Sequence, residues 1–191
     1  FFFKQKTAYE ISTRDWSSDV CSSDLMGHGA ILRSGEVQRM TAGTGLMHSE
    51  HNPGPEPCRL LQIWIEPSRG GLPPSYEQTA LACPAGSGWT RLIDPERRDG
   101  AMAIARNVQI WRARPADHDT LPLPTAAPGQ AWLQIINGTL ELTLERTEDQ
   151  PQPAHTLTLG PGDGLGLPAA AGGGQVRACS RDVDLLVFDL G

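Results

Sequence analysis

Residues 131–145 read AWLQIINGTLELTLE. After Asn137-Gly138, Leu140, Leu142 and Leu144 alternate with Thr139, Glu141, Thr143 and Glu145. Successive side chains of a strand point to opposite faces, so this pattern describes a half-buried antiparallel strand with its leucines inward. Before the Asn-Gly pair, Trp132, Gln134 and Ile136 alternate with Leu133 and Ile135. Asn-Gly is the preferred pair for a two-residue type I′ turn, which predicts a β-hairpin across the stretch.

Moving outward, the polar run 146–154 reads as an exposed hairpin loop. Leu157–Leu159 leads through GPGDGLGL, residues 160–167, into another strand, with Asp163 bonding its own turn. DLLVFDL, residues 184–190, is a closing apolar strand. Upstream, 108–113 and 89–93 are strand candidates, with a polar turn at 94–100. CRLLQIWIE, residues 58–66, is dense enough in apolar side chains for a strand buried on both faces; Pro67 ends it. Residues 68–78 read as a surface linker and 35–41 as a short strand. Trp64, Ile65, Trp111 and Trp132 are expected in the core. Short strands between turns imply an all-β sandwich or barrel. The 21 Gly and 16 Pro among 191 residues fit many tight turns and fall short of low complexity.

The formal net charge is −6. An acidic chain without a Lys/Arg cluster repels phosphate backbones, so no direct nucleic-acid binding is expected. No apolar run reaches the roughly 18 residues that span a bilayer, so no membrane partner is expected. Cys58, Cys83 and Cys179 lack CxxC spacing, which argues against a thiolate zinc site. Free thiols fit a reducing compartment and a cytoplasmic location.

Residues 1–25, FFFKQKTAYEISTRDWSSDVCSSDL, have no sustained period of 2 or 3.6 and no signal-peptide core. They resemble a translated sequencing-library adapter. The segment is therefore set apart from the fold as a non-native artefact or disordered tail.

The chemistry concentrates in TAGTGLMHSEHNPG, residues 41–54. His48 and Glu50 follow a glycine-punctuated turn at strand spacing, which puts both on one face. Imidazole and carboxylate together suit a divalent ion of the kind non-haem iron oxygenases hold. His-x-Glu alone is a weak motif, and a histidine satisfied by a neighbouring carboxylate would look the same. Gly43 and Gly45 provide a positive-φ turn under either reading.

GEVQRMTAGTGLMHSEHNPG at 35–54, followed by LQIWIEP at 61–67 and the later paired strands, resembles the pirin family of bicupin proteins from Met26 to Gly191. The resemblance implies cupin-type (jelly-roll) β-barrels. An incomplete N-terminal barrel would occupy 26–75, a connecting region with strands 76–120, and a C-terminal cupin domain 121–191. It also implies a divalent metal, commonly Fe(II), held by three histidines and one glutamate. His48 matches the third histidine and Glu50 the glutamate, which is also the catalytic candidate as acceptor of a substrate proton. The first two histidines belong to an HPHRGFE-like segment normally found upstream of Met26-Gly27. None stands here, so an N-terminal truncation and an incomplete site with weak metal binding are expected. His28, His51, His118 and His155 read as solvated histidines. The activity implied is that of a quercetin 2,3-dioxygenase, an oxidoreductase acting on a small aromatic flavonol. The alternative is a non-catalytic, metal-dependent regulator that binds a protein partner.

Overall fold

The computed structural model describes residues 9–14, 20–24, 29–55, 57–81, 83–124, 130–144, 156–167 and 173–191; the first two segments are described by backbone pairing alone. The chain divides into two compact units. The first comprises 1–82 with 104–106 and the second 83–103 with 107–191.

The first unit contains β1 (Tyr9–Arg14), β2 (Val20–Asp24), β3 (Gly29–Leu32), β4 (Glu36–Thr41), β5 (His48–His51), β6 (Leu60–Ile65) and β7 (Ser75–Ala80). They form a four-stranded sheet, ordered β6-β1-β4-β7, and a three-stranded sheet, β3-β2-β5. Pairing is antiparallel throughout both sheets.

The second unit contains β8 (Ser87–Ile93), a 3-10 turn at Arg98–Gly100, β9 (Gln109–Arg114), β10 (Thr120–Pro122), β11 (Ala131–Asn137), β12 (Leu140–Leu144), β13 (Thr156–Leu159), β14 (Gly164–Leu167), β15 (Gly174–Ala178) and β16 (Asp184–Asp189). One sheet runs β14-β11-β16-β9-β8 and the other β10-β15-β12-β13. Leu133, Ile135, Leu185 and Val187 of the first sheet and Leu140, Leu142, Val176 and Ala178 of the second belong to one buried cluster. The successive connections β9–β10, β11–β12, β13–β14 and β15–β16 all cross from one sheet to the other. This is the all-β jelly-roll architecture expected from the sequence.

The Asn137-Gly138 hairpin is not formed. β11 and β12 lie in different sheets and never pair. A type I′ turn needs positive φ at both central residues, and of the pair Gly138 alone has it, at 75°. Asn137 Nδ2 instead donates to Asp182 Oδ2 at 3.0 Å, and the Thr139 N–H donates to Ser180 Oγ at 2.9 Å. Alternation specifies which face of a strand is buried, and it is satisfied equally by two strands facing each other across a core.

Residues 58–66 are not a doubly buried strand. β6 is a sheet edge on which Gln62 and Trp64 are exposed while Leu61, Ile63 and Ile65 are half-buried. Trp64, expected in the core, is 63% exposed. Trp132 is likewise an outward side chain, 41% exposed, whose ring covers the backbone of Gly164 and Gly166 on β14. Trp111 does pack against the core cluster, with the Arg91 guanidinium 4.0 Å above its ring. The stretch 68–78 is no simple linker, because its end forms β7, paired with β4 from Glu36↔Ala80 to Thr41↔Ser75. A polar segment such as SYEQTA can serve as an edge strand because its neighbour's backbone supplies the partners. Within residues 1–25, β1 pairs on both sides, with β4 and β6, and β2 pairs with β3 and β5. Backbone pairing of this kind requires no side-chain periodicity of the inserted strand.

The predicted loop at 146–154 lies outside the described residues. In the 160–163 turn the Gly160 N–H donates to Asp163 Oδ2 at 2.8 Å, as expected. Strands β8 and β9, from the region read as connecting, are members of the second unit's five-stranded sheet.

Two clusters of buried charge brace that sheet. Arg112 on β9 grips Asp184 on β16 through two bonds, Nε to Oδ1 at 3.0 Å and Nη2 to Oδ2 at 2.6 Å. Asp94, fully buried, closes the turn after β8 with Arg91, Arg98 and the Glu96 N–H. Burial alone pushes its carboxyl pKa up. The hydrogen bonds from Arg91, Glu96 and Arg98 outweigh that, and the net shift is downward. Cys58, Cys83 and Cys179 are free thiols, and burial pushes the Cys83 thiol pKa up. No helix among the described residues is long and apolar enough to cross a membrane.

Candidate metal centre

The strand bearing His48 and Glu50 is delivered by a tight turn. β4 ends at Thr41, and the Gly45 N–H returns to the Ala42 carbonyl at 2.9 Å. Gly43 and Gly45 both have positive φ, 56° and 139°. At Gly43 an added Cβ would collide with the Leu72 carbonyl and lie 2.8 Å from Pro74 N. β5 then pairs with β2, setting Glu50 opposite Ser22 and His48 opposite Asp24. Strand alternation places His48 on the same side as Glu50 and His51 on the other.

Glu50 faces the space between the two sheets of the first unit. Gln38, on β4 of the opposite sheet, donates from Nε2 to Glu50 Oε1 at 2.8 Å. Gln38 is only 1% exposed, so this amide is a buried polar group that must find partners at both ends. Its Oε1 lies 3.2 Å from the Tyr76 hydroxyl, which also lies 2.5 Å from Gln78 Oε1. A hydroxyl has one proton to donate, and the shorter contact claims it more strongly. Gln78, opposite Gln38 in the β4–β7 register, donates from Nε2 to Glu36 Oε2 at 2.7 Å and to the Ile31 carbonyl at 2.8 Å. Glu36 Oε2 also accepts from the Arg33 N–H at 2.7 Å.

Sequence reasoning found the carboxylate and missed this polar chain behind it. Gln38 sits between Val37 and Arg39 in a strand that is buried along most of its length, an environment that the sequence alone did not reveal.

A neutral imidazole and a carboxylate on one strand face fit two positions of a divalent ion's shell. Among the described residues, no three His, Cys, Asp or Glu side chains gather closely enough to complete it. His118 belongs to the second unit, with its side chain 71% exposed beside Asp117. His28 and His155 lie outside the described residues.

The Pirin family model matches residues 9–65, across the turn and both candidate ligands, and the model of the quercetinase C-terminal cupin domain matches 92–190. This chain belongs to the pirin family. The first of these matches begins within the segment that the sequence set apart. Among pirin relatives, the quercetin 2,3-dioxygenase of Escherichia coli strain K12 is 33% identical over 134 residues, 70% of this chain and 57% of that protein. The chain thus spans somewhat over half the length of the curated relatives it matches. The crystal structure of the bacterial pirin YhhW from Escherichia coli, in complex with nickel(II), superposes with a TM-score of 0.81 at 27% identity, covering 97% of this chain and 73% of that one. The Escherichia coli protein YhaK superposes with a TM-score of 0.77 at 20% identity, covering 98% and 77%, which speaks for the fold alone.

Proposed function

We propose that this chain is the pirin-type scaffold of a metal-dependent dioxygenase acting on flavonols such as quercetin. His48 and Glu50 would be two of the protein ligands to a divalent cation, Fe(II) by preference. The observation that carries this reading is that His48 and Glu50 occupy alternate positions of β5 after a glycine turn, with Glu50 accepting from the buried amide of Gln38. Support also comes from the quercetinase-type second unit and from a relative that carries nickel(II).

Each side chain has a definable task. His48 would ligate through a neutral ring nitrogen, so binding would release any proton held there. Glu50 would ligate through one carboxylate oxygen, and the same carboxylate would be the base for a substrate hydroxyl brought within hydrogen-bond reach. A divalent ion held there supplies Lewis acidity toward the flavonol hydroxyl and a template for its orientation. The two further histidines that the family resemblance implies have no counterpart among the described residues, so this chain is proposed to bind its ion weakly.

The test is an Fe(II) titration of the whole chain, with and without added imidazole, followed by oxygen uptake with quercetin. Imidazole supplies the neutral nitrogen ligands that the described residues lack. Uptake should be weak alone, strengthened by imidazole, and reduced about 10-fold or more by His48→Ala or Glu50→Gln. Metal uptake indifferent to both substitutions would defeat the ligand assignment. An iron-loaded, imidazole-supplemented chain that consumes no oxygen with quercetin would defeat the dioxygenase assignment.

A second reading, a regulator that binds a protein partner without turnover, draws on Trp64 and Met47, which are 63% and 62% exposed in the first unit. Large exposed apolar side chains of this kind are common at protein interfaces.

A further inference from the structure

We propose that Asn137 is a deamidation site held latent by Asp182. Asn137 belongs to the second unit, and its chemistry needs no metal at His48 and Glu50. The hairpin that Asn-Gly favours is absent at this corner, so the pair has another cause. At Gly138, where φ is 75°, an added Cβ would lie 2.7 Å from both the Cα and the N of Val183. The crossing from β11 to β12 therefore requires glycine. Packing thus places a chemically labile dipeptide at the corner, and the residue next to Val183 is Asp182.

In deamidation the Gly138 nitrogen gives up its proton and attacks Asn137 Cγ. The Cγ–Nδ2 bond breaks, Nδ2 leaves as ammonia, and a cyclic imide remains. Water then opens the imide at either carbonyl, giving aspartate or an isoaspartyl linkage. Each ammonia released is matched by a water consumed, and nothing is oxidised or reduced. Glycine leaves the attacking nitrogen accessible, because no Cβ shields it. The other two asparagines lack that opening. Asn52 precedes Pro53, whose nitrogen carries no proton, and Asn107 precedes Val108, whose branched side chain crowds its nitrogen.

The folded corner opposes this attack in two ways. Asn137 Nδ2 donates to Asp182 Oδ2 at 3.0 Å, which holds the leaving group in place. Ser180 Oγ donates to Asp182 Oδ1 at 2.8 Å and accepts from the Thr139 N–H at 2.9 Å, so the carboxylate is itself fixed. The charge of Asp182 is the second obstacle. The tetrahedral intermediate carries negative charge on the former amide oxygen, and a neighbouring carboxylate disfavours it. Asp182 is exposed, so solvent weakens this repulsion without removing it. The product sets a second carboxylate against Asp182, and two groups that only accept hydrogen bonds cannot re-form the contact.

The whole chain, Asp182→Ala, Asp182→Asn and Ser180→Ala are incubated in mildly alkaline buffer, both folded and in urea, with far-ultraviolet circular dichroism as the folding control. Peptide mass spectrometry follows the conversion of Asn137, with Asn52 and Asn107 as internal references. Conversion in the folded parent should be at least about 10-fold slower than in urea, because the closed corner must open first. Folded Asp182→Ala should convert at least about 5-fold faster than the folded parent, through loss of a hydrogen bond to a charged acceptor. Asp182→Asn should fall between them, and all should agree in urea. Ser180→Ala loosens the same corner but keeps the carboxylate, so it should convert more slowly than Asp182→Ala. Equal conversion of the parent folded and in urea overturns the latent site, as does Asn52 or Asn107 converting as fast as Asn137 in urea. A folded Asp182→Ala no faster than the parent, or no faster than Ser180→Ala, overturns the role of Asp182. Should Asp182→Ala fail to fold, Asp182→Asn decides: faster conversion than the parent supports that role, and an unchanged rate overturns it.

Discussion

Gly43 shows how one backbone position serves the candidate site. Its φ of 56° is left-handed, and the carbonyl of Leu72 occupies the space a Cβ would need. Alanine would therefore incur two costs, backbone strain and a collision with main chain that cannot rotate away. We predict that Gly43→Ala destabilises the first unit by about 2–5 kcal/mol, the sum of typical left-handed and overpacking costs. Urea unfolding followed by fluorescence would measure it, and a loss within about 0.5 kcal/mol of the parent, the range of ordinary surface substitutions, would contradict it. The need for glycine here was legible in the sequence, because TAGTG announces a turn. The partner of Glu50 was not legible. Gln38 lies 12 positions away on another sheet, and a lone glutamine in a strand carries no mark of what it touches.

At the level of elements, alternation identified the strands but not their partners. The leucines of β12 and the apolar set of β11 point into one core from opposite sheets, so the same pattern was read as a hairpin. Charge gave no better guide, since Asp94 looked like an ordinary turn residue. Its burial and its contacts with Arg91 and Arg98 make it a clasp between the end of β8 and the 3-10 turn. Its folded carboxyl pKa lies below the ordinary value of 3.8. The unfolded chain therefore takes up the proton first as pH falls, and the stability from Asp94 is present above about pH 4 and lost on acidification through the folded value. Removing this partner should cost about 2–4 kcal/mol at neutral pH, below the upper range for buried pairs because Arg98 is half-exposed. Asp94→Asn should also flatten the acid limb, so that parent and variant converge in stability as the pH falls below about 4. Parallel stability curves over that range, measured by thermal melts, would show that Asp94 does not contribute to acid sensitivity.

For the molecule as a whole, the two units are built from different materials. The second centres on Leu133, Ile135, Leu140, Leu142, Leu185 and Val187, all at or near zero exposure, with the Arg112–Asp184 pair satisfied inside it. In the first, β4 runs through the middle of the larger sheet carrying Gln38, Arg39 and Thr41 as buried polar residues beside Val37 and Met40. Arg39 is tied through its Nη atoms to Thr41, Ser75 and Glu77, while its buried Nε has no hydrogen-bond partner among the described residues, so its burial is compensated only in part. It adds little apolar area, and apolar area is what drives folding at about 25 cal/mol per Å². The sequence already hinted at this contrast: its longest run of alternating leucines, Leu140, Leu142 and Leu144, lies after residue 130, whereas its polar motif lies before residue 55. Local opening free energies follow buried apolar contacts, so amides of β11 and β16 should exchange with deuterium at least about 100-fold more slowly than those of β5. Exchange read by mass spectrometry on the intact chain tests this. Added divalent ion should slow β5 and leave β11 and β16 unchanged, because only a ligand that binds the folded first unit can stabilise it. Equal protection of all these strands, or slowing of β11 and β16 by the ion, would contradict this division of stability between a packed scaffold and a ligand-dependent site.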